Sequence, residues 1–412
     1  MTPSMVEDLA GYLLILLAIV VGMRGILKGE FFRPRTLFMF VHPLAMGFAL
    51  LNLFWTENGF GWMYFATAIS SWAAFLFGCI VAEKFVLPPV VKPMGYNHSH
   101  SWITWLIPIF GCMGLFLLSR LGGGWPIFSP TPETARMKMI SGRATAFLFS
   151  FAVFSMVFSI DQALLQKRKL FFVGALVVMV FVGLTGNRGQ IFMASIVGIS
   201  LIETSLRKNI GLKAVVSGAI FVVVFLLIGF VRLKDDNPLN ESLSVFTGLK
   251  MVYVYMTNGQ WNLSVGIEKV ARGMQSFTWG TSSFNGIFYW FSDPIAIQRS
   301  LGWDTVMNES VKKYPGLNST SFQWAFIKDF GITGMLIITF SIGYFLSRLY
   351  LHARGYGWAS ILSAFLSYPL MFSFNILWLV EGTGSMVGIL LVGSLIGRRI
   401  GFREPATLVA NE

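Results

Sequence analysis

Long apolar runs recur along almost the whole chain, and they constrain its fold more than any other feature. Each run has about 17–22 residues, which as a helix is long enough to cross a hydrocarbon core of ~30 Å. Because the bilayer interior offers no water to backbone amides, a spanning segment must be a helix or a strand of a closed barrel. Barrel strands alternate apolar and polar residues, whereas these runs are apolar on every side. The sequence therefore predicts an all-α, polytopic integral membrane protein.

About eleven such runs can be placed, so we predict about eleven transmembrane helices in a single transmembrane domain over residues 1–412. The predicted spans are 9–27, 36–55, 60–82, 102–119, 144–161, 170–185, 190–206, 213–231, 330–349, 357–376 and 379–397. Glu7 and Asp8 precede the first run, so we expect a retained helix rather than a cleaved signal peptide. The only cysteines, Cys79 and Cys112, lie in apolar runs, which argues against a disulfide framework or a zinc site.

The distribution of Lys and Arg predicts which ends of the spans face the cytoplasm. Short basic clusters occur in every second connection, which is the pattern of a cytoplasmic face. These cations are Arg24, Lys28, Arg33, Arg35, Lys84, Lys92, Lys167, Arg168, Lys169, Arg207, Lys208, Lys213, Arg348, Arg354, Arg398, Arg399 and Arg403. The N-terminus is then outside and the C-terminus inside. Membrane topology thus explains most of the formal net charge of +12, and no nucleic-acid partner is expected.

Two long connections lie on the predicted outer face, a smaller loop at 120–143 and a large loop at 232–329. Together with the turn around Arg188 they are unusually rich in cations for an outer face. Either long translocated segments escape the charge rule, or these cations bind an anion. Within the large loop we expect an interfacial helix at 242–256, with Val245, Leu249, Val252 and Met256 on one stripe. The aromatic stretch 277–291 is too short for an ordinary span, so we expect a re-entrant or interfacial piece.

The turn TGNRGQ at 185–190 is the strongest candidate for an anion site. Gly186 and Gly189 permit a tight turn and a close approach of the backbone to a ligand. The turn opens onto the N-terminus of the next helix, whose free N–H groups favour an anion. The guanidinium of Arg188 adds a bidentate fork suited to phosphate. The alternative is an arginine that extends to lipid headgroups.

The large outer loop supplies the other candidates. Arg232, at the end of a predicted span, and Arg272, directly before Gly273, are the cations that we expect to converge on one anion. All four histidines map to predicted cytoplasmic loops or span ends, so a general base on the outer face must be a carboxylate. Our candidate is Asp293, which precedes Pro294, and a turn-capping aspartate is the alternative. No histidine metal site is expected there.

Two patches resemble the oligosaccharide repeat-unit polymerases, the Wzy-type O-antigen polymerase family. TGNRGQIFMASIVG at 185–198 resembles the family's outer-face turn with a small residue, Arg and Gly before a helix. NSTSFQWAFIKDFGITGML at 318–336 resembles the family's polar stretch that leads through D-F-G-x-x-G into the next span. The layout of many spans and one large outer loop is also similar. O-antigen ligases share this layout, but they are expected to use a histidine in the large loop, which here contains none.

The resemblance implies a GT-C-like architecture in a bacterial inner membrane, with the N-terminus periplasmic and the C-terminus cytoplasmic. It also implies a glycosyltransferase that moves a glycan from undecaprenyl diphosphate to the terminal sugar of a new lipid-linked repeat, building O-antigen of lipopolysaccharide or a related surface polysaccharide. Arg188, Arg232, Arg272 and the backbone of Gly189 would hold the diphosphates, and Asp293 would accept the hydroxyl proton. Because the leaving group is already a stable anion, guanidinium groups suffice, and neither a metal nor a cofactor is required.

Tyr314 and Asn318 are our candidates for sugar binding, while most Trp and Tyr residues of the large loop fit an interfacial aromatic belt. The implied partners are the lipid-linked oligosaccharide and membrane lipid, with a chain-length regulator protein as a further candidate. A transporter or flippase of an anionic lipid or solute is the alternative from another class. Such proteins usually carry buried ionisable groups at mid-depth, and the predicted spans have almost none there.

Overall fold

The computed structural model describes residues 3–53, 60–85, 101–140, 143–166, 169–186, 188–206, 245–273, 278–279, 283, 321–353 and 358–373. Within these ranges the chain forms helices and turns and no strand, which confirms the all-α prediction. The predicted spans 213–231 and 379–397 lie outside the described residues. The same holds for four of the predicted site residues, which are Arg232, Asp293, Tyr314 and Asn318.

The described residues form eleven α-helices and one 3-10 turn, at Pro126–Phe128. The helices are α1 (Pro3–Lys28), α2 (Pro34–Leu51), α3 (Trp62–Lys84), α4 (Ser101–Leu121), α5 (Pro132–Ile140), α6 (Arg143–Gln166), α7 (Leu170–Leu184), α8 (Arg188–Leu206), α9 (Val245–Ala271), α10 (Phe322–His352) and α11 (Trp358–Phe372). The predicted spans outside 213–231 and 379–397 each overlap one of these helices, and only α5 and α9 have no predicted span.

Four of the described helices are long and apolar enough to cross a membrane by length and composition, namely α1, α2, α3 and α10. Five shorter apolar helices lie within α4, α6, α7, α8 and α11. Exposed apolar side chains cover one face of α1, where Leu13 and Leu16 are both 57% exposed and Val20 is 54% exposed. Such a face is stable against lipid and not against water. The chain is therefore a helical membrane protein, and the count of about eleven spans stays a prediction.

Contacts divide the chain into two compact units. Unit 1 consists of Met1–Leu87, Asn209–Arg348 and Ser367–Thr383, and it holds α1, α2, α3, α9 and most of α10. Unit 2 consists of Pro88–Lys208, Leu349–Leu366 and Gly384–Glu412, and its helices α4, α6, α7 and α8 pack on one another.

Two glycines bring α3 and α10 of unit 1 into close contact. A Cβ atom added at Gly78 would collide with the backbone carbonyl oxygen of Phe340, and one added at Gly343 would collide with that of Phe75. Small residues of this kind let the backbones of two membrane helices come close together. The close approach increases van der Waals contact, which matters because the hydrophobic effect does not drive helix association in lipid. The second half of α10 is thereby fixed beside the second half of α3.

The helix α9 is longer than the interfacial helix predicted at 242–256, because it continues to Ala271. Its first half is fixed to the end of α2 by Tyr253. The hydroxyl of Tyr253 donates to the carbonyl of Phe48 and accepts from the amide of Leu53, each at 3.0 Å. These bonds satisfy backbone groups that the end of α2 leaves without a helical partner. Leu249, on the predicted apolar stripe, is 51% exposed.

Candidate functional site

The second patch of the family resemblance forms a broken helix in unit 1. At Gly331 of the D-F-G sequence, α10 departs from helical geometry with φ 70° and ψ −177°. Only glycine adopts these angles without strain, so this residue sets the position of the break. The second glycine of the pattern, Gly334, follows the break, and a Cβ atom there would collide with Cβ of Phe330. The predicted span at 330–349 corresponds to the part of α10 that follows Gly331.

Asp329, the residue two before this break, anchors part of the large outer loop. Its side chain is fully buried, and its carboxylate accepts hydrogen bonds from the hydroxyl of Thr278 and from the amide of Ser283. The amide of Thr278 in turn donates to the carbonyl of Lys328 at 3.2 Å. A buried carboxylate is tolerated only when hydrogen bonds replace its water shell. The start of the aromatic stretch is therefore held against α10.

The second half of α9 carries a run of polar side chains that are buried. None of these side chains is more than 6% exposed, and they are Thr257, Asn258, Gln260, Asn262 and Ser264. All residues at 257–264 are buried, and eight consecutive positions cover every side of a helix, so this part of α9 is enclosed. The interfacial position predicted for the helix at 242–256 therefore does not describe its continuation. Polar groups in such a place are costly unless they are hydrogen-bonded, which makes the run a candidate for function.

Hydrogen bonds join this run and its neighbours. The hydroxyl of Tyr64 in α3 donates to the side-chain oxygen of Gln260 at 2.7 Å. On the same helix, the hydroxyl of Ser71 accepts a bond of 3.2 Å from the side-chain amide of Gln323, at the start of α10. All four residues are at most 3% exposed. These two bonds join α3 to α9 and α3 to α10. We call these four residues, together with the α9 run, the polar cluster.

Stacked aromatic rings border the polar cluster. The ring of Phe60 stacks on Tyr64 at 4.4 Å between centroids and on Trp261 at 4.1 Å. Tyr64 lies in the first turn of α3, and Phe60 lies just before that helix. The cluster therefore extends from the end of unit 1 at which α3 and α10 begin and α2 ends. In the predicted topology that end is the outer one.

His42 occupies a position that the sequence did not predict, since it lies in the middle of α2 and is 1% exposed. Our assignment of all histidines to cytoplasmic loops or span ends is wrong for this residue. The apolar sequence around His42 contains no sign of the distant side chain that binds it inside the protein. Nε2 of His42 lies 2.9 Å from the hydroxyl of Ser373. That hydroxyl donates to the carbonyl of Leu370, so its oxygen accepts from the imidazole N–H. The serine is therefore a structural partner and not an activated nucleophile.

In the predicted turn at 185–190, Gly186 terminates α7 and Gly189 lies within α8. Gly186 has φ 68°, in the left-handed region, and α8 begins at Arg188. The hydroxyl of Thr185 donates to the carbonyl of Val182 at 2.6 Å and closes the end of α7. A helix N-terminus therefore begins at the turn, with Arg188 and Gly189 as its first residues. This turn belongs to unit 2, and the convergence of Arg188 with the other cations stays a prediction.

Arg272 lies directly after α9 with an exposed side chain. Its guanidinium is 3.9 Å from the carboxylate of Glu268, and both side chains are more than half exposed. An exposed ion pair of this length is weak, so an anionic ligand can replace the carboxylate. Gly273 follows with φ 79°, as expected for a glycine that terminates a helix.

Comparisons with protein-family models, with curated proteins and with solved structures find no match. The evidence for a function therefore consists of the two sequence patches that resemble the polymerase family and of the geometry of the described residues. Within those residues, no group of three or more His, Cys, Asp or Glu side chains is placed to hold a metal ion.

Sequence reasoning missed the polar cluster, although one signal of it was present. The run Thr257–Asn262 interrupts an otherwise apolar helix, and several polar residues in consecutive helical turns indicate a helix with polar neighbours. In the sequence, Asp329 is one of several carboxylates of the predicted outer loop. Its role as an anchor depends on Thr278 and Ser283, which are distant in sequence and give no local pattern.

Proposed function

We propose that the chain is a glycosyltransferase of the bacterial inner membrane that polymerises undecaprenyl-diphosphate-linked oligosaccharide repeats at the periplasmic face. Its product would be O-antigen or a related surface polysaccharide. The observation that carries the proposal is the polar cluster, in which amide and hydroxyl groups meet beside stacked aromatic rings within a membrane protein. Sugars present hydroxyl groups that both donate and accept, and amide and hydroxyl side chains match them in kind.

The position of the cluster also supports this function. It lies toward the end of unit 1 at which α2 ends and α3 and α10 begin, which is periplasmic if the N-terminus is periplasmic and the C-terminus cytoplasmic. A substrate with a lipid tail and a polar glycan needs a site at such an end, where the tail stays in the bilayer. The anchor at Asp329 holds the loop segment that precedes Asp293 against the same end.

In the proposed reaction, a hydroxyl oxygen of the acceptor sugar forms a bond to the anomeric carbon of the donor glycan. The bond between that carbon and the diphosphate oxygen breaks, and its electron pair leaves with undecaprenyl diphosphate. Asp293 takes the hydroxyl proton as general base. Arg188, Arg232 and Arg272, with the backbone N–H of Gly189, stabilise the diphosphates, and Tyr314 and Asn318 contact the sugars.

The decisive experiment uses the purified chain in detergent with one lipid-diphosphate-linked repeat and without metal, nucleotide or a second acceptor. A ladder of products that differ by one repeat supports a polymerase. A ligase would leave the single substrate unextended, because its acceptor is a different molecule. Unchanged lipid in every condition would overturn the proposal.

Transport of an anionic lipid or solute is the second candidate, and buried acids in unit 2 favour it. Asp161 in α6 is fully buried and Glu203 in α8 is 3% exposed. Carboxylates buried in membrane helices often belong to ion or proton pathways. A flux of labelled lipid or solute across vesicles, lost in Asp161→Asn, would support transport. No flux above that of protein-free vesicles would remove this alternative.

A further inference from the structure

A cavity of about 370 Å³ lies at the opposite end of unit 1, where α1 ends and α2 begins. The polar part of its lining consists of Arg24 and Lys28 on α1, Glu30 in the connection, and Arg35 and Thr36 on α2. Gly25 belongs to the same lining, and a Cβ atom there would collide with the methyl group of Thr36 on α2. This volume is within the range of small-ligand sites, ~300–1,000 Å³.

The carboxylates near the cavity are already engaged by Arg33. Its guanidinium bonds to Glu30 at 2.7 Å and to Glu83 of α3 at 2.8 and 2.9 Å. Burial disfavours the charged form of Arg33, but its hydrogen bonds to Glu83 and Glu30 outweigh burial and raise its pKa. Glu83 also pairs with Arg35 at 2.9 Å. The acids of this region are thus neutralised by cations of the chain itself.

Among the residues that the structure describes, Arg24 and Lys28 have no such partner. Both side chains are exposed, and within the described residues neither makes an ion pair or a hydrogen bond. They are four residues apart on α1 and therefore on the same face of the helix. With Arg35, 42% exposed, they surround one space from two helices. The cavity therefore offers positive charge to a ligand with anionic oxygens.

The rest of the lining is apolar. Val21, Met39 and Leu76 form this side of the cavity. Beside it, the exposed face of α1 presents Val20, 54% exposed, and Met23, 58% exposed. A free inorganic anion would gain nothing from these side chains, whereas a lipid places its phosphate among the cations and its acyl chains along the apolar face.

We infer that this cavity binds the phosphate headgroup of an anionic phospholipid, with Arg24, Lys28 and Arg35 as its ligands. The site is independent of the proposed glycosyl transfer, because it lies at the other end of unit 1 and shares no residue with the polar cluster. It is also more than a general positive surface, because cations from two helices line one defined volume next to the exposed apolar face of α1.

Native mass spectrometry of the delipidated full chain tests the inference with added phosphatidylglycerol or phosphatidylcholine. We expect the wild type to retain phosphatidylglycerol preferentially. In the double variant Arg24→Gln, Lys28→Gln this preference should fall roughly tenfold or more, since each cation near an anionic lipid contributes to binding. Lys84→Gln is the matched control, because Lys84 is exposed at the same end of α3 and does not line the cavity.

Equal retention of the two lipids by the wild type would overturn the inference. An unchanged preference in the double variant would also overturn it, because the cavity cations would then not bind the lipid. So would an equal loss of preference in Lys84→Gln, because the effect would then come from general surface charge. Competition with millimolar inorganic phosphate distinguishes a site for the phosphate of a lipid from a site for free phosphate. Retention of the lipid supports a lipid site, and its displacement by phosphate alone would overturn it. Circular dichroism of each variant verifies that the helices are intact.

Discussion

The backbone amide of Ser283 donates a hydrogen bond of 2.5 Å to the carboxylate of Asp329. This bond joins two parts of the chain that are 46 residues apart, the aromatic stretch of the outer loop and the start of α10. The carboxylate is fully buried, so this bond and the one from Thr278 replace its lost hydration. Asp329 is therefore a positioning residue for the loop that carries the proposed base.

Replacing Asp329 by Asn should destabilise the protein. The amide NH₂ group cannot accept a hydrogen bond, so either the Ser283 amide or the Thr278 hydroxyl loses its acceptor, at a cost of roughly 1–3 kcal/mol. Thermal unfolding in detergent, followed by size-exclusion chromatography, measures this change. Thr278→Ser keeps the hydroxyl donor, so this variant should unfold at the same temperature as the wild type. An Asp329→Asn variant as stable as the wild type would show that the anchor contributes nothing.

Replacing Gly331 by Ala should abolish or strongly reduce ladder formation. Its φ of 70° with ψ −177° is strained for any residue with a Cβ atom, at roughly 1–3 kcal/mol, so the variant favours a different start of the span. Gly61→Ala is the control, because no atom lies within 4 Å of an added Cβ and its φ is −66°. Full activity in Gly331→Ala would mean that the break in α10 has no part in function.

The bond between Tyr64 and Gln260 should appear as an energetic coupling. Tyr64→Phe and Gln260→Leu each leave a buried polar partner unsatisfied, at roughly 1–3 kcal/mol. The double variant should then be destabilised by less than the sum of the two, and a double-mutant cycle of unfolding free energies measures the difference. Strict additivity would contradict a direct bond between the two side chains.

Removal of the Arg188 guanidinium should stop the reaction while the protein is still made. Arg188→Ala eliminates the proposed diphosphate fork at the start of α8, and losses of roughly 10²–10³ in rate are usual for one electrostatic group. Arg120→Ala is the matched control, since Arg120 is another arginine on the predicted outer face, and its exposed side chain lies 5.3 Å over the Phe116 ring. Full ladder formation by Arg188→Ala would discard the anion site.

The sequence predicts most strongly where one physical requirement acts locally. Apolar length predicts the membrane helices, and the turn between α7 and α8 follows from a glycine at Gly186 that adopts φ 68°. The polar cluster could not be predicted in this way, because Gln260 and Asn262 are residue types that are common in loops and at interfaces. Only the packing of α3 and α10 around them makes them buried residues. His42 is similar, since its partner Ser373 is 331 residues away.

The central claim is that this one chain breaks the bond between the glycan and its lipid diphosphate while it forms a glycosidic bond. The most direct measurement follows both events in a single reaction of the purified chain, by counting free undecaprenyl diphosphate and new linkages in the ladder. The account predicts one molecule of lipid diphosphate for every new linkage, in wild-type protein and not in Arg188→Ala. Release without a ladder, or a complete absence of release, would contradict it.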